Sequence, residues 1–258
     1  MSRQRLLATD MDGTFLGDDA AMAGLWAALD AAGIALAFST GRHLPSIQAF
    51  YDEHHEPRRA AACVCMVGTE VWVWQDGRYE RDDGWSRHIS EAWDKGAVEA
   101  VLGSIPQARM QDAEWQSEFK SSYFLEEDAA SLLAEIEQRL EDRGLRAKVV
   151  YSADRFLDLL PYRSGKGGAV AYTADLLGIP AADVVTAGDT GNDLDMMRPE
   201  LGFRSIAVGN ATDELRRLDE PHVYHATAAH AAGIREGLVH YGWLPGVSLD
   251  SLPPEADA

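Results

Sequence analysis

Three short apolar runs, separated by two stretches of helical periodicity, constrain the fold of this chain most strongly. The runs end near Thr9, Ser39 and Val67, and the helical stretches cover about 20–32 and 44–54. Strands and helices that alternate over short links build right-handed βαβ units, and such units form a parallel sheet. We therefore predict an α/β fold with a Rossmann-like, doubly wound parallel sheet as its core.

The sequence pattern changes after residue 70 and indicates an inserted second domain. Two strand-like runs flank Asp76-Gly77, a pair typical of a hairpin turn, and 81–84 has the composition of a linker. Beyond it we predict a helix at 89–102, a strand at 119–125, a helix that begins at Asp128, and strands at 145–151 and 155–160. This order predicts an α+β cap domain at 82–160, core segments at 1–81 and 161–243, and a flexible tail at 244–258.

Charge and composition exclude several classes of partner. The net charge of −19 over 258 residues argues against nucleic acid, which needs a basic surface. No apolar stretch is long enough to cross a bilayer, so we expect no membrane contact and a cytoplasmic location. Cys63 and Cys65 are predicted to be buried strand thiols, since their spacing suits neither a disulfide nor a metal site. We expect a monomer or a weak homodimer.

Two carboxylates, Asp10 and Asp12, directly follow the first apolar run and precede Gly13 and Thr14. Carboxylates this close repel each other unless a cation lies beside them. Their hard oxygen atoms suit magnesium. Turn-forming aspartates at the end of a strand are the alternative interpretation of this pentamer when it is taken alone.

Four polar clusters lie at comparable places in the predicted core, three after a parallel strand and one at the start of a helix. Ligands of open α/β sheets bind at the carboxyl ends of the strands, so we expect the clusters to converge in space. The clusters are Asp10 with Asp12, Thr40-Gly41-Arg42, Lys166, and Asp189 with Asp193.

The residue types in these clusters suit phosphoryl transfer. Asp10 can attack phosphorus, and Asp12 can protonate the leaving alcohol and then activate water. Magnesium bound by Asp10, Asp189 and a backbone carbonyl of the first loop would neutralise charge between nucleophile and phosphoryl group. Thr40, the amides that follow it, and Lys166 can bind phosphoryl oxygens, and such positioning supplies most of the catalysis in this reaction.

The four clusters resemble the four motifs of the haloacid dehalogenase superfamily of phosphatases. They occur in the same order, and the insertion lies between the second and third motifs, as in members with a type C2 cap. The resemblance implies dependence on Mg²⁺, a nucleophilic Asp10 and an acid/base Asp12, with Thr40 and Lys166 at the phosphate. It places Asp10, Asp12, Asp189 and Asp193 on the metal side.

A narrower resemblance to the sucrose-phosphate phosphatase branch covers both core and cap. The segments that carry it are Val67–Val71, Trp85, Trp93-Asp94, Phe119–Tyr123 and Asp158–Pro161. His43 and Arg163 depart from the usual residues of that branch and bear on which sugar is bound. The resemblance implies hydrolysis of sucrose 6-phosphate or a related disaccharide phosphate.

Six residues are expected to contact the sugar phosphate: Gly41, Arg42, Thr69, Glu70, Lys120 and Asn192. Lys120 lies on the strand face opposite its two neighbours, which directs it toward the cleft, and a solvated surface lysine is the alternative. For Arg42 and Glu70 the alternative is a surface or capping charge, and for Asn192 a residue that loop geometry favours. Three histidines are predicted to be structural: His222, His225 and His230.

The leading interpretation is a magnesium-dependent phosphomonoester hydrolase that acts on a small sugar phosphate through an aspartyl-phosphate intermediate. Two neighbouring activities use the same nucleophile, namely a sugar-phosphate phosphatase of broad specificity and a phosphomutase. A sugar-phosphate-binding regulator without turnover is the alternative from a different class.

Overall fold

The computed structural model describes residues 4–126, 129–152 and 154–246. Its strands are β1 (Arg5–Thr9), β2 (Ile34–Ser39), β3 (Ala62–Cys65), β4 (Glu70–Gln75), β5 (Arg78–Arg81), β6 (Arg109–Met110), β7 (Ser121–Phe124), β8 (Ala147–Ser152), β9 (Phe156–Pro161), β10 (Val184–Gly188), β11 (Arg204–Ala207) and β12 (Val223–His225). Its α-helices are α1 (Asp19–Ala32), α2 (Leu44–Glu53), α3 (Asp83–Ile89), α4 (Lys95–Leu102), α5 (Ala129–Asp142), α6 (Lys166–Leu176), α7 (Asp213–Arg216) and α8 (His230–His240).

The core is an eight-stranded sheet in the order β12-β11-β10-β1-β2-β3-β4-β5. The first six strands in this order are parallel, and β4 and β5 form an antiparallel hairpin at one edge. The chain runs from β1 outward on one side and returns through β10 on the other side of β1. This is the predicted doubly wound α/β sheet, and its topological switch point lies between β1 and β10.

Helices cover both faces of the core sheet because its strands are apolar on both faces. On one face Leu7 and Phe38 pack with Trp26 of α1 and with residues of α2 and α8. On the other face Leu6 packs with Val170 of α6. Side chains of successive β1 residues therefore anchor opposite helix layers, which holds the end of this strand rigidly.

The predicted helix at 89–102 is wrong, since two shorter helices occupy this region. The Asp82 carboxylate accepts the amide of Trp85 at 2.6 Å, so α3 begins inside the stretch expected to be a linker. The Asp94 carboxylate accepts the amide of Ala97 at 2.9 Å and begins α4. Two N-caps so close together end one helix and start another.

Helix α3 lies within the segment 82–160 expected to form the cap, but it packs against the core. Trp85 and Ile89 are buried with α6 and the core sheet. At the other end, Leu244 is buried in the core although a flexible tail was expected from this residue. Asp128 and residues 247–258 lie outside the described residues.

A second sheet, in the order β6-β7-β9-β8, is antiparallel throughout. Its apolar face packs against α4 and α5 through residues such as Val101, Ile136 and Leu157. The two-residue strand β6 was not predicted, because it is too short to show alternation. Within the described ranges, Cys63 and Cys65 are buried free thiols, as expected, and none of the helices is long and apolar enough to span a membrane.

Candidate active site

The ends of β1 and β10 bring together the first and last sequence clusters. The amide of Asp10 donates to the Ala187 carbonyl at 2.9 Å. The loop after β1 therefore begins beside the end of β10. Asp189 directly follows β10. The two carboxylates therefore meet at the switch point, where ligands of such sheets bind.

Three carboxylates lie close together at this point, and one ammonium group pairs with two of them. Asp10, Asp189 and Asp193 each place an oxygen within 4.8 Å of the others. The Lys166 ammonium is fully buried and donates to Asp10 Oδ1 and to Asp193 Oδ1, both at 2.7 Å. With all three carboxylates ionised the cluster carries a net charge of −2, which a divalent cation would neutralise.

Burial is the largest influence on the pKa values of the cluster, and the neighbouring charges modify its effect. Burial raises the pKa of Asp10 to about 8, an effect that Lys166 opposes and Asp193 reinforces. Burial also raises the pKa of Asp189 to about 6, with a further contribution from Asp193. Burial alone would lower the pKa of Lys166, but its attraction to Asp10 and Asp193 raises it. The group that stays charged is thus the lysine.

We expect the stability of metal-free protein to fall as the pH rises from about 5 to about 8. Asp10 and Asp189 have raised pKa values in the folded state, so folded protein binds more protons than unfolded protein in this range. Added Mg²⁺ should therefore raise the melting temperature more at pH 8 than at pH 5. Thermal denaturation with EDTA or Mg²⁺ measures this, and the Asp10→Asn variant should show a shallower pH dependence. A magnesium effect that is equal at both pH values would contradict the prediction.

Asp193 positions its neighbours as well as adding charge. Its Oδ2 accepts the amides of Asp189 at 3.0 Å and Thr190 at 3.1 Å, which closes the turn after β10. Thr14, in the loop after β1, donates its hydroxyl to Asp189 Oδ1 at 2.9 Å. The two loops are thereby locked together at the cluster.

The Asp12 carboxylate lies away from the cluster, which differs from its expected place among the metal ligands. Arg42 holds it through two donors, Nε at 2.8 Å and Nη2 at 2.5 Å, and the Asp12 side chain is 60% exposed. The paired charge keeps the carboxylate at the open side of the site. This position suits proton transfer to a leaving group.

Thr40 and Gly41 follow β2 at the same edge of the sheet. Thr40 is buried, its amide donates to Val64 O at 2.9 Å, and its hydroxyl oxygen accepts the Arg42 amide at 3.2 Å. The turn after β3 supports this segment, since the amide of Val67 donates to the Thr40 carbonyl at 3.0 Å. Val67 has a φ of 59°, a strained value for a β-branched residue. Strain at this point favours a positioning role for the turn.

Two expected substrate contacts, Thr69 and Glu70, are not brought to the cleft. The Thr69 hydroxyl is buried and donates to the Met66 carbonyl at 3.0 Å. The Glu70 carboxylate accepts the indole N–H of Trp72 at 3.0 Å. Both side chains are used locally, in the turn and at the start of β4, and neither lines the two cavities described next.

A cavity of about 410 Å³ lies between the second sheet and the loop after β10. Lys120 is only 3% exposed, which excludes the solvated alternative, and its ammonium lies 3.2 Å from Asp158 Oδ1. Ser122 donates to the same oxygen at 2.5 Å. The cavity thus has polar groups fixed by burial beside aromatic rings. Its lining consists of Gln111, Trp115, Lys120, Phe124, Ser152, Arg155, Phe156, Asp158 and Asn192.

Asn192 connects this cavity with the carboxylate cluster. Its Oδ1 accepts the Lys166 ammonium at 3.0 Å, and the residue also lines a second cavity of about 340 Å³ that includes Lys166. Asn192 is therefore the residue shared by the first cavity and the hydrogen-bond network of the cluster.

Several residues of the site were missed from the sequence. His230 makes a structural contact, as predicted, but does so beside the site: its Nδ1 donates to the Gly13 carbonyl at 2.8 Å, and Asn210 donates to the same oxygen at 2.7 Å. Asp195 and Lys148 join the loop after β10 to the second sheet. No local pattern marks these four residues. As predicted, His222 and His225 make structural contacts, with the carbonyls of Met197 and Leu218.

The sequence matches the family model described as sucrose-6F-phosphate phosphohydrolase over residues 3–242. It is 35% identical to a mannosylfructose-phosphate phosphatase of Agrobacterium fabrum over 95% of this chain and 100% of that protein. It is 32% identical to sucrose-phosphatase 1 of Nicotiana tabacum over 90% of this chain, which spans only 56% of that protein.

The fold is similar to solved structures. A sucrose-phosphatase of Synechocystis, in complex with sucrose and phosphate, matches with a TM-score of 0.85 and 28% identity over 93% of this chain and 98% of that one. The sugar phosphatase BT4131 matches with a TM-score of 0.65 and 16% identity over 93% of this chain and 100% of that one, which shows a shared fold.

Proposed function

The chain belongs to the sucrose-6F-phosphate phosphohydrolase family and is a phosphoric monoester hydrolase of the haloacid dehalogenase superfamily, and on that premise we propose that it dephosphorylates a disaccharide phosphate. Sucrose 6-phosphate and a mannosylfructose phosphate are the first candidates, because the relatives are named for these sugars. One observation carries the proposal. The cavity of about 410 Å³ and the Lys166 cluster share Asn192, so sugar and phosphate can be bound together.

The proposed reaction begins with attack of Asp10 on phosphorus, which forms an aspartyl phosphate and releases the sugar alkoxide. Asp12, at the exposed side, supplies the proton to the leaving oxygen. It then takes a proton from the water that hydrolyses the aspartyl phosphate. Lys166 stays charged throughout and, with Thr40, is placed to bind the phosphoryl oxygens. Preorganised charges of this kind lower the barrier to phosphoryl transfer.

Magnesium fits the residues of the cluster. Oxygen ligands and a net charge of −2 with all three carboxylates ionised suit a hard divalent cation. We propose that the carboxylates of Asp10 and Asp189, with a backbone carbonyl of the loop after β1, would hold the ion, and that Asp193 supports Asp189 by accepting its amide. When bound, the ion would neutralise the repulsion between the nucleophile and the phosphoryl group.

The cap domain is proposed to select the sugar. Lys120, Gln111 and Asn192 offer hydrogen-bonding groups, and the aromatic rings of Trp115 and Phe156 offer apolar surface to sugar rings. The second sheet with α4 and α5 would form this cap, while α3 packs with the core. A cytoplasmic location and a monomeric or weakly dimeric state are further proposals. Buried free thiols are compatible with a reducing compartment.

A phosphate-release screen with Mg²⁺ tests the proposed function directly. We expect a strong preference for one disaccharide phosphate over monosaccharide phosphates. A flat profile would favour the phosphatase of broad specificity. A requirement for a sugar bisphosphate would indicate a phosphomutase, and binding without phosphate release would indicate the non-catalytic regulator.

We expect Lys120→Ala to weaken sugar recognition and to spare the chemical step. The buried Lys120 lines the cavity and its ammonium pairs with Asp158 at 3.2 Å, whereas Lys166 pairs with Asp10 and Asp193. KM for the preferred sugar phosphate should rise roughly tenfold or more, while turnover of a small aryl phosphate should change little. Steady-state kinetics on both substrates measure the difference. The exposed cap residue Arg143, replaced by Ala, is the matched control, and an equal loss on both substrates would contradict the prediction.

A further inference from the structure

The helix that carries Lys166 receives its N-terminal cap from a distant residue. Gly165 precedes α6 and has no side chain to accept the free amides of the first turn. The Asp195 carboxylate acts in place of an N-cap side chain, since its Oδ2 accepts the Gly167 amide at 2.8 Å. A carboxylate here also interacts favourably with the helix dipole. Asp195 therefore fixes the start of the helix from which the Lys166 side chain extends.

The same carboxylate contacts the cap domain. Lys148, in β8, donates its ammonium to Asp195 Oδ1 at 3.1 Å and to the Ser164 carbonyl at 2.6 Å. Ser164 belongs to the link by which the chain returns from β9 to α6. The Lys148 side chain is only 26% exposed and that of Asp195 only 21%, so water screens this pair less than a surface pair. One ammonium thus joins the cap sheet, the return link and the loop after β10.

The backbone allows this close approach through two glycines. A Cβ on Gly165 would lie 2.4 Å from Lys148 Nζ and 2.5 Å from Asp195 Oδ2. A Cβ on Gly167 would lie 1.9 Å from the Asp195 carbonyl oxygen. The two side chains and the helix start are therefore packed as a single contact, with no room for a larger residue between them.

We propose that Asp195 is a positioning residue that couples the cap, through Lys148, to the catalytic Lys166. The coupling follows from its two oxygens. Oδ2 orients the first turn of α6, and Oδ1 binds Lys148 of the cap strand β8 at 3.1 Å and the half-exposed Arg198 of its own loop at 3.3 Å. A cap displaced from the core releases Lys148, loosens the Asp195 carboxylate and with it the helix start. The phosphoryl site is then fully ordered only when the cap is docked.

Hydrogen exchange and a double-mutant cycle test the coupling. In Lys148→Met the amides of residues 164–170 should exchange faster than in the wild-type protein, although Asp195 is unchanged. With Mg²⁺ and sucrose 6-phosphate, Lys148→Met and Asp195→Asn should each lower kcat roughly tenfold, and the double variant should lose no more than either single variant. Lys148→Arg, which can keep the ion pair, should restore most of the rate.

Arg217→Met is the matched control, because it removes a cation from an exposed ion pair with Asp213 elsewhere on the core. It should change neither exchange at 164–170 nor kcat. Unchanged exchange in Lys148→Met, or single effects that multiply in the double variant, would overturn the proposal. The kinetic comparison rests on the proposed function, whereas the exchange comparison does not. Wild-type protein that releases no phosphate from sugar phosphates would refute the function and leave the exchange result to decide the coupling.

Discussion

The Asp10→Asn variant should lose phosphatase activity by about 10³-fold or more and keep its fold. An amide does not attack phosphorus, whereas its size matches that of the carboxyl group it replaces. The substitution also removes one negative charge from a cluster in which burial already raises the pKa of Asp10 to about 8. The melting temperature without magnesium should therefore stay the same or rise at pH 8.

Phosphate release and thermal denaturation of the same preparation measure both halves of this prediction. Asp18→Asn is a suitable control, since Asp18 caps α1 on the surface and asparagine can also accept the Ala21 amide. Activity retained by Asp10→Asn would mean that another group is the nucleophile. A strong loss of stability at pH 8 would mean that Asp10 is mainly a partner for Lys166.

Lys166→Met should lower stability, unlike Asp10→Asn, and should lower phosphatase activity about as strongly as Asp10→Asn does. The variant removes the buried ammonium from between Asp10 and Asp193, each at 2.7 Å, and leaves their charges uncompensated. Breaking a buried ion pair from one side costs about 3–5 kcal/mol of unfolding free energy. Because protonation relieves the repulsion, this loss should be smaller at low pH.

Chemical denaturation at two pH values measures the stability of this variant, and phosphate release measures its activity. Lys95→Met, which alters a partly exposed lysine of the cap, should have a much smaller effect on both. Wild-type stability in Lys166→Met would contradict the prediction that this ammonium compensates the buried charge of the cluster. The two variants are expected to change stability in opposite directions. This comparison tests the charge balance of the site and needs no substrate.

The strands of the core and the convergence of its polar clusters could be predicted from the sequence because both are local signals. An apolar run that ends in a polar residue marks the carboxyl end of a strand, and this located Asp10 and Asp189. The helix predicted at 89–102 is divided because Asp94 caps the start of α4. This cap depends on a backbone turn, which hydrophobic periodicity does not show.

Side-chain pairs between segments that are far apart in the chain could not be predicted from the sequence. The bond between Arg42 and Asp12, and that between Lys148 and Asp195, depend on which loops the fold places side by side. The local use of Thr69 has a similar origin. It follows from a turn in which Val67 adopts a positive φ, a conformation that its β-branched side chain would not lead one to expect.

The adjacency of β1 and β10 also bears on how the protein is made. Thr14 and its partner Asp189 are 175 residues apart, so at ordinary rates of translation the second follows the first by roughly 10–35 s. During that time β1 lacks its neighbour β10, and Asp10 lacks the carboxylate of Asp189. The strands β8 and β9 are close in sequence and can pair early. The carboxylate cluster is therefore expected to form on a nascent chain whose cap strands have already paired.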